Sequence, residues 1–155
     1  MQRYTNAIAL AAALSTAAAT AALGQAGATE GMRAVAANAI TWSDADIPGF
    51  APGMKIAAIQ GNSAETGLYT LRLSFPDGYR FPAHWHPMAE HLTVLSGTLQ
   101  LAMGDRPDES KLKAYTSGDY LYIPATMPHF GGARGFTVIQ LHGQGPFTIN
   151  LVKSP

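Results

Sequence analysis

The stretch GYRFPAHWHPMAEHLTVLSG, residues 78–97, decides how this sequence is interpreted. His84 and His86 are two residues apart within an apparent strand, where residues at that spacing point to the same face. Glu90 follows after Pro87, with enough chain between them for a second strand to begin. Imidazoles and a carboxylate that converge from adjacent strands are suitable ligands for a divalent transition metal. The stretch therefore predicts a metal site between two strands.

Short apolar runs with turn residues between them continue on both sides of this stretch. Residues 67–75 show the clearest alternation of apolar and polar side chains. Candidate strands cover residues 54–60, 67–75, 79–85, 91–96, 98–103, 111–116, 120–123, 136–141 and 147–152. No helical period is found after residue 40. Many short strands with turns between them predict an all-β sandwich or barrel.

A fourth candidate ligand lies further along the chain. Gly118 and Pro124 are followed by His129, which comes directly after the turn-rich segment 124–128. Three imidazoles and one carboxylate around a divalent ion would carry a formal charge of about +1 and leave two positions of an octahedron open. The alternative is a metal-free protein in which the same histidines are packed and hydrogen-bonded.

These two groups of residues resemble the two motifs of the cupin superfamily. The first motif is matched by Gly78, His84, His86, Glu90 and Gly97. The second is matched by Gly118, Pro124 and His129. The resemblance implies an RmlC-like jelly-roll β-barrel in which His84, His86, Glu90 and His129 bind one divalent transition metal. The metal would be Zn, Mn, Fe, Ni, Co or Cu, and the sequence does not distinguish among them.

The second motif departs from the family pattern at two positions. Thr126 stands where the family has glycine, and Ala133 stands where it has asparagine. Neither position is a metal ligand in the family. The first change is expected to alter the backbone geometry of a turn, and the second removes a polar group near the end of the barrel.

Further candidates for the pocket rest on weaker patterns. His142 shares strand parity with Gln140 and is a candidate general base or hydrogen-bond donor to a substrate. A polar residue at a strand end is the alternative for His142. Candidate substrate-binding residues are Tyr120, Tyr122, Gln140 and Arg80. Aromatic side chains on barrel strands usually belong to the core, and most arginines are solvated. His91 has the opposite parity to Glu90 and is expected to face away from the metal.

The first 28 residues have the three-part pattern of a secretory signal peptide. A short polar region with Arg3 precedes the mostly alanine run 7–23, and Ala26-Gly27-Ala28 offers a small-x-small cleavage site. A transmembrane anchor is the alternative, but the run is short and weakly apolar for a span of about 20 residues. With no Arg-Arg pair before the run, a Sec-type signal is expected, which places the protein in the periplasm or outside the cell. The predicted organisation is residues 1–28 as the signal, 29–47 as an irregular lead-in and 48–155 as the barrel domain.

Composition excludes several classes of function. The chain of 155 residues has no cysteine, so thiolate zinc sites, disulfide scaffolds and cysteine nucleophiles are ruled out. Its 10 basic and 10 acidic residues balance, and loss of Arg3 with the signal leaves a net charge of 9 − 10 = −1. Such a charge gives no general attraction to nucleic acid or, after signal cleavage, to a membrane surface. The expected partner is a small-molecule ligand or substrate, and pairing of edge strands makes a homodimer plausible.

Three kinds of function are consistent with these features. The first is a small metalloenzyme acting on an oxygen-bearing molecule as a dioxygenase, isomerase or lyase. The second is a non-catalytic module that binds a small ligand or the metal itself, for example as a sensor. The third is a structural protein in which a metal only stabilises the barrel. The cupin fold accommodates both catalysis and binding, so the fold alone does not decide among them.

Overall fold

The computed structural model describes residues 31–153, and from Ala34 onward these belong to one compact unit. The predicted signal peptide, residues 1–28, lies outside the described residues. Within them, no helix is long and apolar enough to span a membrane. The strands are β1 (Ser43–Asp44), β2 (Lys55–Gln60), β3 (Gly67–Phe75), β4 (Arg80–Trp85), β5 (Glu90–Met103), β6 (Lys113–Thr116), β7 (Tyr120–Ile123), β8 (His129–Gly145) and β9 (Asn150–Leu151). Two single-turn 3₁₀ helices cover Ala37–Ala39 and Glu109–Lys111.

Two long strands, β5 and β8, hold the two halves of the fold together. They pair antiparallel along most of their length, from His91 opposite His142 to Met103 opposite His129. The second half of β8 also pairs with β3, β3 pairs with β2, and β2 pairs with β1. The first half of β8 pairs with β4, and β4 pairs with β9. On its other side β5 pairs with β7 near its start and with β6 near its end. The result is the curled, all-antiparallel sheet of a jelly roll, as predicted.

The bend between the two halves is at the middle of β5 and β8. The register between them shifts on both sides of Ser96, where Gly97 takes a φ of +76°. A Cβ at Gly97 would press against the carbonyl oxygen of Phe136, so this position requires glycine for space as well as for its dihedral angle. Thr137 is fully buried at the same bend, and its hydroxyl accepts from the Thr98 N–H at 3.0 Å.

Alternation along the strands places the core inside this curled sheet. The most deeply buried side chains include Leu71 on β3, Val94 and Leu99 on β5, and Leu141 on β8. Burying a side chain of this size stabilises the fold by about 1.5–3 kcal/mol. The core leaves space toward the end of the barrel where β4 ends and β5 and β8 begin.

Several predicted boundaries were wrong in an instructive way. The candidate strands 91–96 and 98–103 are one strand, because Gly97 makes a bulge and not a turn. The candidate strand 136–141 is only part of β8, which begins at His129 and includes Gly131 and Gly132. Glycine at position 131 allows β5 to approach closely, because a Cβ there would collide with the carbonyl oxygen of Gln100. Only Asn150–Leu151 of the predicted strand 147–152 pairs. Part of the predicted lead-in is ordered on the barrel, since β1 pairs with β2.

Candidate metal centre

The ends of three strands bring the four predicted ligands together. His84 is near the end of β4 and His86 directly follows that strand, while Glu90 and His129 are the first residues of β5 and β8. His84 and His129 are register partners on adjacent strands. All four side chains are buried, with 3–6% of their surface exposed. A cluster of ionisable groups this far from water needs mutual partners or an ion to be stable.

The three imidazoles and the carboxylate lie within coordination range of one another. One nitrogen from each of His84, His86 and His129 lies within 4.8 Å of the other two. The two Glu90 oxygens lie 3.2 Å from His86 Nε2 and 3.4 Å from His129 Nε2. The carboxylate therefore borders the imidazole cluster, as the sequence motif implied.

Hydrogen bonds to the backbone determine which imidazole nitrogens face the cluster. Each Nδ1 lies against a carbonyl oxygen: His84 against Pro82 at 2.7 Å, His86 against Thr148 at 2.8 Å, and His129 against Met127 at 3.1 Å. Because a carbonyl oxygen only accepts, each Nδ1 donates and carries the proton. In the neutral rings this leaves each Nε2 with a free lone pair, which is the form that binds metals.

One of these atoms has no partner of its own. His86 Nε2 is buried and makes no hydrogen bond within the described residues. A Glu90 carboxylate oxygen lies 3.2 Å from this atom. A lone pair and a carboxylate oxygen repel each other unless a proton or a cation lies between them. The donor set therefore fits a divalent transition metal.

Burial shifts the pKa of these groups toward their neutral forms. The pKa of His84 is lowered to about 3, mainly by burial and to a smaller extent by the positive charge that His129 would carry. Burial lowers the pKa of His86 to about 4, and the hydrogen bond to the Thr148 carbonyl partly opposes it. Burial also lowers the pKa of His129 and raises the pKa of the Glu90 carboxyl to about 8. Without a metal, these shifts favour three neutral imidazoles and a protonated carboxyl at neutral pH.

The cluster forms the floor of an otherwise apolar cavity of about 60 Å³. At about 30 Å³ for each water in the liquid, this is room for about two water molecules. Apart from the four clustered residues, the 14 side chains that line it are all aliphatic, aromatic or methionine. The cavity combines a single polar end with walls that offer no hydrogen bond.

Three residues in irregular segments support the cluster, and sequence reasoning missed two of them, Phe50 and Phe147. The ring of Phe147 stacks on His86, with centroids 4.8 Å apart, and Phe50 meets His84 edge-on at 5.2 Å. Thr126, the departure from the family glycine, keeps the left-handed turn with a φ of +63°, and its N–H donates to the His86 carbonyl at 2.8 Å. The motif comparison signalled Thr126 only as a departure, and no periodic pattern marks Phe50 or Phe147.

The weaker candidates lie away from the cavity. His142 is exposed and its ring stacks on that of His91, 5.3 Å away. Tyr120 and Tyr122 are 57% and 56% exposed, on the strand next to His91. Of the two interpretations of His142, its position agrees with a polar residue near a strand end and not with a group in the cavity, because the side chain is exposed and does not line the cavity. His91, expected to face away from the metal, also lies outside the cavity.

The last two candidates are also engaged outside the cavity. Gln140 accepts a hydrogen bond from Arg72 Nε at 3.1 Å. Arg80 is exposed, and its Nε lies 3.3 Å from Glu109 Oε1. None of the five weaker candidates lines the cavity. Contact of any of them with a substrate remains a prediction, and it would need a site other than this one.

Solved structures share this architecture at low sequence identity. The polyketide cyclase RemF from Streptomyces resistomycificus superposes with a TM-score of 0.67 at 15% identity, covering 80% of this chain and 87% of RemF. The DMSP lyase DddQ from Ruegeria pomeroyi gives 0.59 at 18% identity, covering 76% of this chain and 64% of DddQ. A cupin-2 domain from Rhodospirillum rubrum gives 0.61 at 12% identity, covering 79% and 81%. At these identities the likeness concerns the fold alone.

The sequence itself matches one family over most of its length. No curated protein matches the chain. The family model described as the ChrR cupin-like domain matches residues 30–148, which include all four clustered residues. With the jelly-roll topology and the motif residues gathered at one end of the barrel, this shows that the chain belongs to the ChrR cupin-like family of the cupin superfamily.

Proposed function

We propose that this protein binds one divalent transition metal through His84, His86, Glu90 and His129, and that a small oxygen-bearing molecule binds beside that metal in the barrel cavity. The observation that carries the proposal is the arrangement of three backbone-anchored imidazoles with their Nε2 atoms turned toward one carboxylate. A divalent metal held there would supply Lewis acidity to an oxygen of the bound molecule.

Other residues of the chain would orient the metal ligands and exclude water from the cavity. The carbonyls of Pro82, Thr148 and Met127 hold the imidazole orientation through the Nδ1–H groups. Such outer contacts commonly contribute about 10- to 100-fold to metal affinity. The apolar walls exclude water from the bound molecule. Among residues 31–153, no other ionisable side chain lines the cavity, so proton transfer by these residues inside it would have to use Glu90 or an imidazole.

A non-catalytic role is the second candidate, and one observation favours it. Enzymes that move protons usually place a separate acid or base beside the substrate, whereas all the ionisable groups lining this cavity belong to the metal cluster. A barrel that holds a ligand or metal without turning it over, as a sensor or carrier, needs no such group. Acyl, alkyl or enol compounds tested for turnover and for binding would separate the two roles.

Metal analysis of variants tests the shared part of the proposal. Elemental analysis of the protein isolated from its own cells should give about one transition metal per chain. His84→Ala and Glu90→Ala should lose it, while the matched variants His91→Ala and His142→Ala, which alter histidines outside the cavity, should keep it. Full metal content in the Glu90→Ala protein would overturn the proposed ligand set.

We also propose export as part of the function. The support is the signal pattern in residues 1–28, which suits metal loading outside the cytoplasm. N-terminal sequencing of the protein from a periplasmic extract should give a chain that begins shortly after Ala28. Its mass should match that shortened chain. A full-length chain that begins at Met1 and stays in the cytoplasmic fraction would refute export without touching the metal proposal.

A further inference from the structure

The walls of the cavity restrict what can occupy it. The lining is typified by Leu99, Leu101, Ile139 and Leu141. In the part of the chain that the structure describes, it includes no serine, threonine, asparagine, glutamine, lysine or arginine. A ligand hydroxyl or ammonium placed against these walls would lose its hydrogen bonds to water and gain none. Sugars, polyols and amino acids are therefore poor occupants of this cavity.

The charge at the floor of the cavity complements one negative group. A divalent ion with the Glu90 carboxylate leaves a formal charge of about +1, and no arginine or lysine lines the cavity to balance a second anion. A single carboxylate, enolate or phenolate satisfies that charge. A dianion such as a phosphate monoester would carry an uncompensated buried charge.

The cavity opens where two irregular segments meet. Its partly exposed lining includes Ile47 and Phe50, which precede β2, and Phe147 and Ile149, which follow β8. Phe50 and Phe147 each contact an imidazole of the cluster. A molecule whose head lies at the cluster would therefore have both rings among the walls around its body.

We propose that the ligand is a small monoanion with one oxygen-donor head group and a short apolar body, and that Phe50 and Phe147 select the body. This rests on the proposed metal site, since the head is bound there. The small volume limits the enclosed body to a few carbons, and a longer one would extend through the opening beside Phe147.

Calorimetric titration of the metal-loaded full-length mature protein with a matched series of acids tests the selection. Acetate, propanoate and butanoate should bind progressively tighter, by up to about fourfold for each added methylene. Butanoate should bind at least about tenfold tighter than 3,4-dihydroxybutanoate, which has the same head and a polar body. Equal affinities, or tighter binding of the hydroxylated acid, would overturn the proposal.

A pair of variants locates the effect in the cavity. Phe147→Ala should reduce the preference for butanoate over acetate at unchanged metal content. Phe136→Ala, at a phenylalanine that is 65% exposed and outside the cavity, should leave that preference as in the wild type. A preference that is the same in all three proteins would refute the role of Phe147.

Xenon keeps the test separate from the metal proposal. It has no head group and enters apolar cavities of protein interiors. Chelator-treated protein should show saturable xenon binding by ¹²⁹Xe NMR, and Phe147→Ala should change it while Phe136→Ala should not. If no metal binds but xenon does, the metal site and the head group bound to it are refuted, while the apolar cavity next to Phe147 is supported. If metal binds and xenon does not enter, the selection of an apolar body is refuted.

Discussion

Glu90→Gln should make the free energy of unfolding of the metal-free protein less sensitive to pH, and it should weaken the binding of a divalent metal. In the metal-free protein, burial raises the pKa of Glu90 from 4.5 to about 8. Between these two values the folded protein holds a proton that the unfolded chain has released. The contribution of this group to the free energy of unfolding is therefore greatest below the lower value and is lost as the pH rises through the upper one, by up to about 1.4 kcal/mol per pH unit.

Summed between about pH 5 and pH 8, the loss is on the order of 3 kcal/mol. Glutamine does not ionise, so the variant should not show this loss. The buried imidazoles act with the opposite sign, because their lowered pKa values make acid destabilising below about pH 6.5. They are present in both proteins and largely cancel in the difference. Relative to Glu90→Gln, the wild type should therefore become less stable by about 3 kcal/mol across this range.

The assay is urea unfolding followed by tryptophan fluorescence after dialysis against a chelator. Glu65→Gln, which removes an exposed carboxylate, is the control and should run parallel to the wild type. When a divalent metal is added back, Glu90→Gln should bind it at least about tenfold more weakly. Parallel pH profiles for the wild type and Glu90→Gln would refute the burial argument, and unchanged metal affinity would refute ligation by Glu90.

Three further substitutions test the framework around the site. Thr126→Gly should raise the free energy of unfolding in urea melts by about 1 kcal/mol, because glycine takes the φ of +63° without steric cost. A lower free energy of unfolding would show that the threonine side chain stabilises the turn by more than its backbone strain costs. Gly97→Ala should lower Tm more than Gly118→Ala, since both have positive φ but only at Gly97 would the new methyl group meet the Phe136 carbonyl; equal losses would mean that φ alone matters. Leu71→Ala should cost about 2–5 kcal/mol in the same melts, and a cost below about 1 kcal/mol would mean that the core is less closely packed than described.

The local pattern of the sequence carried much of the fold. Alternation over residues 67–75 predicted the bounds of β3, because the period of a half-exposed strand depends only on which side faces the core. The short apolar run 120–123 between turn residues predicted the bounds of β7. Glycine was the main source of error. At Gly97 and Gly131 it permits a bulge or a close approach by a neighbouring chain, and a sequence does not reveal that neighbour.

The candidate site divides in the same way. Spacing and the family motif were enough to select His84, His86, Glu90 and His129. The residue types that bind metals and their spacing along a strand can be recognised within short stretches of sequence. Parity alone did not say which face of the sheet His142 would occupy. That depended on which face of the curled sheet encloses the core, and His142 lies on the exposed face although both neighbouring strands pair with β8 at this position.

By itself, then, the sequence determined the type of fold, the family and the four side chains that share one chemistry. The tertiary structure decided the surroundings of those side chains: carbonyls that orient the imidazoles, an apolar cavity above them, and two phenylalanines from unpaired segments at its opening. Ligand residues are recognisable because their chemistry requires particular side chains at short spacing. A cavity is made by residues far apart in the chain whose apolar character is the same as that of any core residue, so only their assembly in space distinguishes them.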